Sequence, residues 1–171
     1  MNFNAIFPQE ITHVMQDDPN DCLSACYAMI LGIEKNGIPK FLDLPDPSGA
    51  EIDFQQKMGV ASIRIPFVID GAKYYEPEVT ISRLSQINPG VPYILVVEGD
   101  SSAGVHTIVI SQKGQVFDPA ELYGNISEYF PIDTTRRGKS YWASYLVPSF
   151  SRQSEYHSRP PYNEGQRIDG K

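Results

Sequence analysis

Proline punctuates this chain. There are 14 prolines in 171 residues, about 8%, against a usual share of about 5%. Each fixes φ and removes a backbone donor, so regular elements tend to stop where proline stands. The prolines fall between apolar segments and cut the chain into short pieces. A domain of short helices and strands is therefore expected.

Hydrophobic residues make up 41% of the chain and charged residues 20%, enough apolar material for one core. The length suits one domain. That domain is expected over 1-148, followed by a polar tail over 149-171 in which Pro160-Pro161 forbids regular structure. The tail is expected to be flexible, or to dock on the body or on a partner. The formal net charge is −7, which argues against nucleic acid, whose binders need a basic face. The apolar run Tyr93 to Val97 has five residues, and a spanning helix needs about 20. No membrane insertion is expected. Met1-Asn2-Phe3-Asn4 lacks the basic region and apolar stretch of a signal peptide. Only two cysteines occur, Cys22 and Cys26, too few for a disulfide framework, and a reducing, cytoplasmic setting is expected.

Several elements are legible. Ile11 to Met15 reads as a short strand leading into the acidic loop Asp17-Asp18-Pro19-Asn20. A helix follows, capped by Asn20 or Asp21 and running to about Gly32, with Cys22, Cys26, Met29, Ile30 and Ile33 at helical spacing. Ser48-Gly49-Ala50-Glu51 has the form of a capping box, and Gly59 can end that second helix. A third helix or turn is expected over Val79 to Ile87. Ser62 to Phe67 alternates as a strand, with Pro66 marking an edge or an end. Tyr93 to Val97 suits a central strand, Val105 to Ser111 and Gln115 to Asp118 a hairpin, and Ser140 to Val147 a last strand closed by Pro148. The expected class is α+β.

The chemistry centres on the thiol. Cys22 falls in the first turn of its helix, where free N–H groups and the helix dipole lower a thiol's pKa. Cys26, one turn on, reads as a small buried hydrophobe. A thiolate nucleophile needs a base, and three histidines are available: His13, His106 and His157. His106 opens the apolar run Ile108-Val109-Ile110. Asp118, twelve residues later, could fix its tautomer. A two-residue turn at Lys113-Gly114 would put His106 and Asp118 on opposite faces. A three-residue loop, Gln112-Lys113-Gly114, pairs Ser111 with Gln115 and puts both on one face. Glycine is the favoured end of a three-residue hairpin loop, so the second register is expected. Against the thiolate stand Asp17, Asp18 and Asp21, since neighbouring carboxylates raise a thiol's pKa. Zinc is the other use of Cys and His, and no cluster with four ligands at zinc spacing occurs.

Gln16, five intervening residues, then Asp21-Cys22-Leu23-Ser24-Ala25-Cys26-Tyr27-Ala28-Met29-Ile30 resembles the nucleophile segment of papain-like cysteine peptidases. It is most similar to the branch of bacteriocin-processing (double-glycine leader) peptidases. Gly104-Val105-His106-Thr107-Ile108-Val109-Ile110 and Val116-Phe117-Asp118-Pro119 resemble the family's His and Asp-Pro segments. Asn88-Pro89-Gly90-Val91-Pro92 resembles its entry into the central strand. The resemblance spans about Thr12 to Pro119. Position 23 is Leu where the leader peptidases commonly have Gly, so their substrate preference is not implied.

The resemblance implies a papain-like fold, with an N-terminal nucleophile helix packed on an antiparallel sheet. It implies Cys22 as nucleophile, His106 as proton carrier, Asp118 as its orienter, and Gln16 with the Cys22 N–H as oxyanion donors. A bacterial thiol hydrolase acting on a peptide or protein, without metal or cofactor, is the expected activity. Amidase, deamidase and acyltransferase chemistry use the same apparatus, and a non-catalytic binding or adaptor protein on this fold is the competing class.

Overall fold

The computed structural model describes residues 7–68, 84–86, 89–98, 105–120 and 140–149. Two helices come first, α1 (Cys22–Leu31) and α2 (Pro47–Lys57). The strands are β1 (Val60–Val68), β2 (Tyr93–Glu98), β3 (Val105–Ile110), β4 (Val116–Phe117) and β5 (Ser140–Pro148). They form a five-stranded antiparallel sheet in the order β1-β5-β2-β3-β4. Helices before an antiparallel sheet make the domain α+β.

The apolar run Tyr93 to Val97 is the middle strand of that sheet, and each of its residues is buried. Side chains alternate between faces along a strand, so a continuous apolar run serves two cores at once. Ile94 joins Val109 and Leu146 in the core beneath α1. Tyr93, Leu95 and Val97 join Ile108, Ile110, Ala143 and Tyr145 on the opposite face. β1 lies at a sheet edge, where a proline such as Pro66 is tolerated.

α1 is buried nearly all round, with Ser24, Ala25, Cys26, Tyr27, Ala28, Met29 and Ile30 inside. A helix apolar on every side is enclosed rather than amphipathic. It stops at Gly32, whose φ of 64° lies in the left-handed region, and the N–H of Ile33 bonds back to Ala28 O at 3.2 Å. The chain then runs back along α1, where Ser24 Oγ donates to Pro39 O at 2.7 Å and Asn20 Nδ2 to Asp43 Oδ1 at 3.2 Å.

Three local expectations are corrected. Residues 11–15 pair with no strand. Ile11 and Val14, three apart, pack on the α1 core, and that spacing lacks the period of two a strand needs. Asp21 occupies the N-cap of α1 without a side-chain cap bond; its carboxylate is engaged by Lys35 instead, 2.8 Å away. The capping box at 48–51 does not form. α2 begins earlier, with Pro47 in its first turn and Asp46 accepting from Gly49 N at 2.9 Å. Of the third expected helix only 84–86 is described, and it is helical. The rest of Val79 to Ile87 and residues 150–171 of the tail lie outside the described residues.

Freed from capping, Glu51 turns inward. It accepts from Tyr27 Oη at 2.7 Å, Gln55 Nε2 at 3.2 Å and Arg64 Nη2 at 2.6 Å. This buried network ties α1, α2 and β1 together. Burial and the Glu51 carboxylate push the Tyr27 phenol far up, so it stays a donor.

Candidate active site

The site is organised by the β3–β4 hairpin. Ser111 N donates to Gln115 O at 2.9 Å, and Gly114 N closes the turn on Ser111 O at 2.9 Å. Gly114 sits at φ 76°, a conformation that costs a residue with a Cβ. The three-residue loop sets the register Ile110↔Val116 and Val109↔Phe117. His106 and Asp118 then share a face. His106 Nε2 and Asp118 Oδ1 meet at 2.8 Å, with side chains 9% and 3% exposed. The same Oδ1 accepts from Ala120 N at 2.7 Å, so the turn after β4 and the hold on the imidazole use one atom.

β4 ends at Phe117, so no β4 residue pairs with β3 beyond Val109. The thiol of Cys22 lies within electrostatic reach of the His106 ring and of Thr107. Val105 and Thr107, on one face of β3, line a cleft together with Cys22. With Nε2 committed to Asp118, Nδ1 is the ring nitrogen left for sulfur. Cys22, His106 and Asp118 therefore form one continuous chain, buried throughout.

Its electrostatics favour an ion pair. Burial alone would raise the Cys22 thiol, and contacts with His106 and Thr107 overcome it to hold the thiol below its ordinary value. Burial would lower the His106 pKa, and Asp118 and Cys22 outweigh it, pushing the ring up to about 9. The two groups titrate as a pair, each stabilising the other's charge. Cys26 behaves as expected of a core residue, fully buried with its thiol pushed up by burial.

The acidic loop does not oppose this charge. Lys35 Nζ bridges Asp17 Oδ2 at 2.9 Å and Asp21 Oδ2 at 2.8 Å and donates to Met15 O at 2.7 Å. Lys40 pairs with Asp18. Two lysines thus offset most of the charge of the three carboxylates, Lys35 shared by Asp17 and Asp21, and both lie beyond α1, where the sequence alone does not bring them near.

Gln16 is half-buried. Its N–H donates to Pro119 O at 2.9 Å, one residue from Asp118. Its Oε1 is buried with no hydrogen-bond partner among the described residues. Such an orphan is uncommon in a folded interior. Thr107 Oγ1 is orphaned likewise and faces the sulfurs of Cys22 and Cys26. His13 stands outside the triad; its Nε2 lies 2.6 Å from Asp118 O and its ring against Phe117. His157 lies outside the described residues.

A cleft of about 200 Å³ opens beside the thiol, lined by Cys22, Leu23, Phe41, Val96, Val105 and Trp142 among others. Among the described residues no three His, Cys, Asp or Glu side chains gather as a metal site, and no helix is long and apolar enough to cross a membrane. Comparison with protein-family models, curated proteins and solved structures finds no match to the chain.

Proposed function

We propose that this protein is a cysteine-dependent hydrolase of papain-like architecture, acting on the amide or isopeptide bond of a peptide or protein. The observation that carries the reading is the buried chain from the Cys22 thiol through His106 to Asp118, with His106 Nε2 2.8 Å from the carboxylate. An N-terminal helix delivering a thiol to a histidine of an antiparallel sheet suits the papain-like arrangement, and the Gln16 N–H bond to Pro119 O, next to Asp118, suits a Gln16 side chain beside the site.

In this mechanism the Cys22 thiolate attacks the scissile carbonyl carbon. The carbonyl π electrons move onto oxygen, and the oxyanion is held by the Cys22 N–H and the Gln16 side-chain amide. His106, as imidazolium, gives its proton to the leaving amine, and the thioester forms as the C–N bond breaks. Neutral His106 then takes a proton from water as its oxygen bonds to the thioester carbon, and the C–S bond breaks to release the carboxylic acid and the Cys22 thiolate, which restores the ion pair with the His106 imidazolium. Asp118 holds the ring throughout. The apolar cleft beside Cys22 receives part of the acyl chain.

p-Nitrophenyl acetate tests the reading without a known substrate. Acetylation of Cys22, located by mass spectrometry and accompanied by nitrophenolate release, is expected, with loss of both in Cys22→Ser. Acetylation no faster than that of a free thiol, or confined to Cys26, would overturn it.

A further inference from the structure

We infer that Lys35 is the positioning residue for Gln16, a clamp that fixes the oxyanion donor from both sides; this rests on the site reading above. Lys35 Nζ takes Met15 O at 2.7 Å on one side of Gln16 and Asp17 Oδ2 at 2.9 Å on the other. A third bond, to Asp21 Oδ2 at 2.8 Å, joins the clamp to the residue before Cys22. Asp21 Oδ2 also accepts from Asp17 N at 3.2 Å. One ammonium thus directs its three protons to residues on both sides of Gln16 and to the residue before Cys22.

The geometry suits positioning more than stability. The Lys35 side chain is 13% exposed and Asp21 2% exposed, so this part of the clamp is shielded from solvent, while Asp17 is 66% exposed. Residues 11–15 have no strand ladder to hold them. Val14 packs on the core and His13 reaches Asp118 O before Gln16, and Gln16 N bonds Pro119 O; at the two residues that flank Gln16 directly, the bonds run to Lys35 and Asp21. A donor displaced by about 1 Å can lose on the order of 10²-fold in rate.

The test uses two probes on the full chain. Iodoacetamide alkylates sulfur by direct displacement, with no oxyanion. p-Nitrophenyl acetate acylates it through one. Rates are compared where each variant's alkylation has reached its plateau with pH, which removes any effect of unmasked Asp17 and Asp21 on thiol ionisation. The acylation-to-alkylation ratio should fall by about 10²–10³ in Gln16→Ala and by at least about tenfold in Lys35→Met. In the Gln16→Ala background, Lys35→Met should change the ratio no further. Should Lys35→Met fail to fold, Asp17→Ala, at an exposed position, should lower the ratio by a few fold. A fall for Gln16→Ala with wild-type ratios in Lys35→Met or Asp17→Ala overturns the clamp alone. Fully additive losses also overturn it. A wild-type protein that is not acylated at Cys22 overturns the hydrolase reading and the clamp with it.

Discussion

Asp118 Oδ1 lies 2.8 Å from His106 Nε2 and 2.7 Å from Ala120 N, so one carboxylate oxygen both terminates the hairpin and holds the imidazole. Strand-ending Asp-Pro turns are common. Here the turn is also the means by which the ring is oriented.

Asp118→Asn should separate those two tasks. An Asn oxygen still accepts from Ala120 N and the ring, so the turn survives. The negative charge that raises the His106 pKa is lost, the imidazolium weakens, and the thiol pKa climbs. Alkylation of Cys22 at pH 7 should slow by about tenfold, as for a shift of roughly one unit, with little change in thermal midpoint.

The pH dependence follows from the same pair. The Cys22 thiol is held low and His106 is raised to about 9. Alkylation should therefore rise through a midpoint below the ~8.5 of a free cysteine. Ester acylation should share that rise, and amide cleavage should fall again near pH 9 as the ring loses the proton the leaving amine needs. In His106→Gln the burial of the thiol is no longer offset by the ring, and the alkylation midpoint should move upward. A midpoint unmoved in that variant would show that the ring does not ionise the thiol.

The Glu51 network predicts an asymmetry in stability. Glu51→Ala leaves the hydroxyl of Tyr27 and the amide of Gln55 without their shared acceptor in the interior, and urea unfolding should show a loss of about 3 kcal/mol. Arg64 is nearly half exposed, so Arg64→Ala should cost under about 1 kcal/mol.

Gly114→Ala should cost about 1–2 kcal/mol through φ alone, because an added Cβ would meet nothing within 4 Å. Gly114→Asn should cost less, since Asn tolerates left-handed backbone better. If the variant instead relaxes to a two-residue turn, His106 and Asp118 separate and Cys22 alkylation at neutral pH falls with it.

The elements whose signals are local were legible in the sequence. The helix beginning at Cys22, the buried strand Tyr93–Val97 and the hairpin register are each written in adjacent residues: an apolar period, an unbroken apolar run, a glycine at the third loop position. From that register alone followed the meeting of His106 with Asp118, because strand alternation leaves no freedom once the loop length is set. The edge position implied by Pro66 belongs to the same class.

Tertiary structure decided what depends on distant partners. Nothing local announces that β4 stops at Phe117, or that Thr107 of the strand lies beside Cys22. Asp21 and Glu51 both carry the signature of caps, and both are drawn away, Asp21 by Lys35 and Glu51 by Tyr27 and Arg64. A buried carboxylate is costly without a cation or donors, and partners many residues away outbid the few tenths to about 2 kcal/mol a cap supplies. The crowding acids around Cys22 are largely offset by Lys35 and Lys40 for the same reason: a lysine's place in space is set by the turn at Gly32, not by its distance along the chain.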